Sequence, residues 1–364
     1  MRHLTTRRCA IYILMMILSA SLLAGCNAGS SHGSAAAEPV TGENYYLDTV
    51  CTISIFAMKG EDGTSVPASD MTEAAEAAID KAFAECAALD KKLTRINEAS
   101  EIGKVNNAGG EWTEVSEDTA GLVQKGIEYS ELSGGDFDIT IGGVTDLWDF
   151  HADPEDAKVP DADALAEAVT HVGYNNIEIN GNMLRINDPE ARIDLGGIAK
   201  GYIGDRMTVV LEQEGVTSGI INLGGNVICI GGKYAGEDEP ADFVIGVEAP
   251  YSDRTEIVGK IGARDMTLVT SGVYERQITV DGKSYHHILS TKTGYSVETD
   301  LDAVTLTAAK GKSMDIDALS TICLIKGYEG AKELIESIDG IEAVFILHDG
   351  SVEKTSGMEF EPVK

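Results

Sequence analysis

The stretch Asp194-Leu195-Gly196-Gly197-Ile198-Ala199-Lys200-Gly201 constrains the fold of this chain more than any other. An apolar run (184–193) leads into it and an amphipathic run (202–211) leaves it, so the local reading is strand, glycine-rich turn, helix start. The first amides of a helix lack intrahelical partners, and the helix dipole favours negative charge there, so such a turn suits a phosphate. Two adjacent glycines let a ligand approach the backbone. Lys200 adds a positive charge in the first turn, and Asp194 can serve as N-cap or as ligand. The same residues would also make an ordinary glycine-rich helix entry, because a short glycine motif discriminates poorly by itself.

If this turn binds a polyanion, the charge has to be handled locally. The 364 residues carry a formal charge of −32. Residues 1–25 hold three arginines and no acids, which leaves −35 for the remainder. Such acidity removes any electrostatic case for nucleic acid. A phosphate-bearing ligand would need a metal ion or helix amides; the acidity itself is a solubilising surface.

The first residues read as an export signal. Arg2, Arg7 and Arg8 precede an apolar run (9–24), and Leu23-Ala24-Gly25-Cys26 places small residues before a cysteine. A basic start, a short apolar core and a small-residue cleavage site describe a secretory signal. The run is somewhat short for a membrane-spanning helix. The cysteine resembles a bacterial lipobox, which implies cleavage before Cys26, lipidation of its thiol, and a lipid-anchored protein facing the periplasm or the cell exterior. Residues 26–44 then read as a Ser/Gly/Ala-rich tether and 45–364 as one catalytic unit. Cys51, Cys86, Cys229 and Cys323 are widely spaced in apolar contexts, without a CxxC pair, and read as core thiols rather than a zinc site.

The order of elements argues for an α+β fold with mixed, largely antiparallel sheets and packed helices. Alternation predicts a strand over 45–58. Helical spacing predicts helices over 71–93 and 116–133, the second stopped by Gly134-Gly135. Ser100 caps a short helix to about residue 105, and another covers 161–169. Gly181-Asn182 joins a hairpin over 177–186. A strand over 219–230 is interrupted by Gly224-Gly225, which reads as a bulge or a close approach. Further strands fall at 243–247, 256–263, 267–270 and 303–308. Asp281-Gly282 turns a hairpin whose return strand holds His286 and His287. A helix runs from Ser313 to about Lys326, another covers 330–338, and a late strand covers 343–347.

Three constellations could carry chemistry. Asp136-Phe137-Asp138 flanks a ring with two carboxylates, either a surface loop with one buried ring or a wall for a planar ligand. Asp317 and Thr321 share a helix face four residues apart, and their oxygens suit Mg²⁺ better than zinc or iron. His286 and His287 alternate on a strand and face opposite sides, so at least one is structural; a histidine beside a phosphate ester could act as a general base near its ordinary pKa of about 6.5.

Taken together these segments resemble the ApbE family, the FAD:protein FMN transferases. The resemblance rests on Asp194 to Gly201, Asn222-Leu223-Gly224-Gly225-Asn226, Ser271-Gly272-Val273-Tyr274-Glu275-Arg276, Tyr285-His286-His287-Ile288-Leu289 and Asp317-Ala318-Leu319-Ser320-Thr321, in that order. It implies an ApbE-like (T-fold-like) unit that uses Mg²⁺ and splits FAD. AMP would be released and FMN joined by a phosphoester to a Thr/Ser hydroxyl of an exported or membrane flavoprotein. The implied metal ligands are Asp317, Thr321 and the Gly197 carbonyl. The implied FAD contacts are Asp136, Phe137, Asp138, Asp194 and Lys200, with Leu47, Ile96 and Ile288 on the flavin or adenine. His287 and Asp317 would be catalytic. An FAD pyrophosphatase and a non-catalytic flavin-binding lipoprotein are the alternatives. One departure stands out: where the family commonly has Asp-Pro-Lys-Thr-Gly, this chain has Ser290-Thr291-Lys292-Thr293-Gly294.

Overall fold

A computed structural model describes residues 38–363 apart from 151, 237–238 and 253–254. The export signal, Cys26 and most of the expected tether lie outside the described residues. Along the chain come β1 (Val40–Tyr46), β2 (Thr49–Lys59), β3 (Ser65–Pro67), α1 (Thr72–Leu93), α2 (Glu101–Asn106), β4 (Thr113–Glu114) and α3 (Glu117–Leu132). Next are α4 (Gly142–Thr145), α5 (Ala162–Ala168), β5 (Ile177–Asn180), β6 (Met183–Ile186), α6 (Ala199–Gln213), β7 (Val216–Leu223) and β8 (Asn226–Ile230). The last third holds β9 (Phe243–Glu248), β10 (Ile257–Ala263), β11 (Met266–Gly272), β12 (Gln277–Val280), β13 (Lys283–His286), β14 (Leu301–Ala309), α7 (Ser313–Glu336), β15 (Glu342–Leu347), β16 (Val352–Lys354) and β17 (Glu361–Pro362).

The centre is an antiparallel sheet in the order β1-β2-β7-β8-β11-β14-β15-β16, with β3 on β2. Helices α1, α6 and α7 pack against it and against each other. The apolar positions of α1 recur at helical spacing (Ala75, Ala78, Ile79, Ala82, Phe83, Cys86, Leu89, Leu93) and are all buried. They form one core with Ile53, Ile55, Ile221 and Ile228 of the sheet and Ile203, Met207 and Leu211 of α6. The expected Ser100 cap holds, and Ser116 and Asp161 prove to be caps too: each side chain accepts from amides of the helix it precedes.

Four local expectations change. The predicted strand over 45–58 is two strands. β1 starts at Val40, inside the expected tether, and turns at Leu47 and Asp48, both at positive φ (55° and 56°). Gly224-Gly225 is the turn of the β7–β8 hairpin rather than a bulge, with φ of 63° and 106° that side-chain-bearing residues adopt at a cost. The apolar run before Asp194 is not one strand: β6 ends at Ile186, and Ile193 is a core plug in irregular backbone. The two predicted C-terminal helices form one element broken at Gly327 (φ 69°, ψ 176°).

Both turns, 47–48 and 224–225, lie at one end of the sheet, where Cys51 pairs with Leu223. The N-termini of α6 and α7 meet at this end. Their approach requires glycine at 201, because a Cβ there would overlap the Ser313 carbonyl. Each helix start is then satisfied by a carboxylate from the other. Gly201 N donates to Asp317 Oδ2 (2.8 Å), while Ser313 N and Met314 N donate to the two oxygens of Asp205 (3.2 and 3.0 Å). Gly201→Val is expected to force the helices apart and cost about 1–3 kcal/mol in urea unfolding. Gly121→Ala, on an exposed part of α3 with open space around it, is expected to add about 0.5–1 kcal/mol.

Candidate active site

A cleft of about 380 Å³ opens at this end of the sheet. Every described residue singled out above for ligand, metal or catalysis lines it, although their positions run from 47 to 321. The size falls within the range of small-molecule sites.

One corner is built by α6 and α7. Asp317 is buried, and its carboxyl pKa is pushed up by burial against the pull of Lys200, the Gly201 amide and Asn226. The helix dipole of α6 is therefore directed at a carboxylate of the protein itself. The turn before it is also largely self-satisfied. Gly196 N donates to Asp194 Oδ1 (2.8 Å), and Ile198 N and Ala199 N donate to Leu195 O (3.0 and 2.8 Å). This corrects the picture of an open amide cradle: what the turn offers an anion is mainly Lys200, which makes no ion pair among the described residues. Thr321 Oγ1 has no hydrogen-bond partner among the described residues. A Cβ at Gly197 would stand 3.6 Å from it and 2.9 Å from Phe137 Cε2. Gly197 is thus pressed between the metal-type hydroxyl and a ring that is itself 93 % covered (7 % exposed).

The opposite wall is tied down by its own carboxylates. Asp138 Oδ1 accepts from Thr140 N (2.8 Å) and Oγ1 (2.7 Å), and its Oδ2 accepts from Tyr174 N (2.8 Å). Its oxygens are spent on holding the loop that carries Phe137. Asp136 pairs with Lys292 (2.8 Å), and Thr291 Oγ1 donates to Gly135 O (2.9 Å), so this loop is clamped to the 290–294 turn. Ile96, 79 % exposed, and Leu47 stand at the rim as apolar surface for a ring.

Sequence reasoning gave no role to Arg95, Trp148 or Arg276, although Arg276 closes one of the motifs quoted above. Arg95 donates to Asp194 Oδ2 (2.9 Å) and to Asp146. Its only sequence signal is its place beside Ile96. Trp148 stacks on Phe150 (5.3 Å between centroids, 11°) and donates from Nε1 to Gly294 O (2.8 Å). Arg276 lies across the mouth from Asp48, 4.0 Å away.

The two histidines separate more sharply than alternation on a strand suggests. β13 ends at His286, whose Nε2 donates to Val297 O (3.1 Å). His287 lies beyond the strand and lines the cleft. Its amide and Nδ1 both approach Arg276 O (3.1 and 3.3 Å). A carbonyl only accepts, so Nδ1 carries the proton and the lone pair sits on Nε2. Burial first, and the Arg276 charge second, push its pKa down to about 3, far from the ordinary value expected above.

The charge balance indicates what the cleft lacks. Eight carboxylates line it (Asp48, Asp90, Asp136, Asp138, Asp149, Asp194, Glu275, Asp317) against three cations (Arg95, Lys200, Arg276). A phosphate ligand entering this field requires an added cation. Among the described residues no three His, Cys, Asp or Glu side chains converge as a metal cage. The available donors are one carboxylate, one hydroxyl and backbone carbonyls. They fit a hard ion that keeps oxygen ligands from its substrate, as Mg²⁺ does, and do not fit zinc.

The ApbE family model matches residues 47–345, a span that includes every element of this cleft. The chain belongs to the ApbE family. It is 28 % identical over 345 residues to a FAD:protein FMN transferase of Treponema pallidum, covering 92 % of this chain and 91 % of that one. It is 30 % identical over 266 residues to one from Klebsiella pneumoniae, covering 71 % and 79 %. Among solved structures, the ApbE protein of Thermotoga maritima superposes with a TM-score of 0.76 at 28 % identity over 88 % of this chain and 97 % of that one. The flavinyl transferase ApbE of Pseudomonas stutzeri gives 0.72 at 25 % identity over 88 % and 95 %.

Within the ApbE framework, the turn after the histidines keeps its closure without an aspartate or proline. Ser290 Oγ accepts from Lys292 N (3.2 Å) and Thr293 N (3.3 Å), the contacts an aspartate oxygen would make. Gly294 N donates to Ser290 O and Ser290 N to Tyr295 O, both at 2.8 Å.

The depressed pKa of His287 gives a stability signature. The unfolded chain takes up this proton near pH 6.5 and the folded chain only near 3. The contribution is therefore fully present above about pH 6.5 and is lost as pH falls through about 3. Asp205, raised to about 6 by burial, works in the opposite sense. The difference between wild type and His287→Gln in denaturant unfolding at stepped pH isolates the histidine. The wild type is expected to lose stability relative to the variant as pH falls from 6.5 towards 3.

Proposed function

We propose that this protein is an FAD:protein FMN transferase that moves FMN from FAD onto a threonine or serine hydroxyl of an exported or membrane flavoprotein and releases AMP. The observation that carries the reading is the convergence of the Asp317–Thr321–Gly197 corner, of Lys200, which has no ion pair among the described residues, and of the neutral His287 on one cleft. The Treponema and Klebsiella relatives are named as FAD:protein FMN transferases, which supports the transfer from FAD to a protein.

Asp317, Thr321 and the Gly197 carbonyl would hold Mg²⁺. When bound, the ion would neutralise pyrophosphate oxygens and charge developing on the departing AMP. Lys200 supplies the protein's own counter-charge to the phosphates. Phe137, Ile96, Leu47 and Ile288 present apolar surface to the flavin or adenine. The acceptor oxygen forms its bond to the FMN phosphorus as the bond to the AMP oxygen breaks. His287 Nε2 takes the hydroxyl proton. A base with a pKa near 3 is weak, but negative charge arriving with the pyrophosphate offsets both the desolvation and the Arg276 repulsion.

We propose further that the protein acts outside the cytoplasm on a lipid anchor at Cys26. The support is the Leu23-Ala24-Gly25-Cys26 pattern after a basic, apolar start. Intact mass of the membrane fraction is expected to show a chain beginning at lipidated Cys26, and Cys26→Ser to leave the uncleaved precursor.

The decisive experiment incubates the protein with FAD, Mg²⁺ and an acceptor peptide bearing a threonine. The expected product is peptide heavier by FMN with equimolar AMP. FMN and AMP released without labelled peptide would instead indicate a pyrophosphatase, and retained FAD with neither product a binding protein. Asp317→Ala is expected to lower the transfer rate by at least about 10²–10³-fold, the scale seen when one charge-stabilising group is removed. Far-UV circular dichroism of that variant is expected to match the wild type.

A further inference from the structure

Beneath Asp317 the sheet carries a polar side chain that the reaction above does not use. Asn226 opens β8 and is fully buried, and neither its Nδ2 nor its Oδ1 has a hydrogen-bond partner among the described residues. Register shows where it faces. Two residues on, Ile228 lies on the same side of the strand and packs against Gly204 of α6, where a Cβ would stand 2.6 Å from its Cδ1. Across the sheet Asn226 lies opposite Val269, and two residues along β11 Ser271 Oγ meets Ser320 Oγ of α7 at 2.7 Å. Ser320 in turn donates to Asp317 O at 2.7 Å. Asn226 therefore faces the junction of α6 and α7, where Asp317 is buried. An amide buried with both ends unmet is costly, and folded proteins account for nearly all such groups with a partner.

We propose that Asn226 is a positioning residue for Asp317, its Nδ2 donating to the carboxylate when that carboxylate engages a divalent cation. The inference rests on the reading of Asp317 as a metal-holding group. Asn226 touches neither FAD nor acceptor. Its part is to set the carboxylate's orientation, as partners behind metal ligands generally do.

The test measures Mn²⁺ binding to the purified protein, from the free-ion EPR signal, alongside thermal unfolding. Asn226→Leu fills the same volume without the donor. It is expected to weaken Mn²⁺ binding about 10–100-fold while leaving the melting temperature of the metal-free protein unchanged or higher. Unchanged Mn²⁺ affinity overturns the proposal, and a lowered melting temperature with unchanged affinity assigns Asn226 a structural role only. Asp317→Asn separates the two levels. If it binds Mn²⁺ like the wild type, the metal reading itself fails. If it loses binding while Asn226→Leu keeps it, only the role of Asn226 fails. Should the leucine variant not fold, Asn226→Ser carries the same measurement with the same criteria.

Discussion

The site depends on an exchange of carboxylates between two helix starts. Asp317 of α7 accepts from the third residue of α6, and Asp205 of α6 accepts from the first two residues of α7. Each contact satisfies amides that helix geometry leaves open and places a negative charge at the positive end of a dipole. Neither helix could shift along the other without stranding both sets. This is a rigid mount for Asp317 and Thr321, and it is possible because residue 201 has no side chain to hold the helices apart. The same mount puts a carboxylate in the place where a helix start would otherwise face the cleft.

Much of the fold was legible in the chain. Helices α1 and α3, the β5–β6 hairpin and the Ser100 cap follow from periodicity and local hydrogen-bond chemistry, which act within a few residues. The residues of the cleft were legible through ordered short motifs, and they converge as that order implied. What could not be read is what depends on distant partners. The contact between Gly201 and Asp317 spans 116 positions, and that between Arg95 and Asp194 spans 99. Nothing local marks either pairing, so the glycine turn read as a phosphate cradle when much of it is already satisfied. The Gly224-Gly225 pair read as a bulge or a close approach; it is a hairpin turn, and a Cβ at Gly224 would stand 2.2 Å from Thr49 Oγ1. A bulge and a hairpin share the same glycines, and only strand pairing tells them apart.

The two walls of the cleft use carboxylates for different work. Asp138 and Asp136 are spent on their own loop and on the neighbouring turn, where they fix Phe137 against Gly197. Asp317 is held by one amide and the approach of a second. A residue type that looks uniform in the sequence thus meets different partners on the two walls, a loop and turn on one side and a helix start on the other.

The histidine at the cleft has a consequence for the order of events. With its pKa near 3 and its Nδ1 turned to the Arg276 carbonyl, His287 is neutral but unreceptive at any ordinary pH. In the transfer proposed above, an acceptor hydroxyl that enters first would meet a base with little appetite for its proton. The donor's pyrophosphate would bring the negative charge that makes the imidazole basic, so the order of arrival would follow from electrostatics, with no moving part.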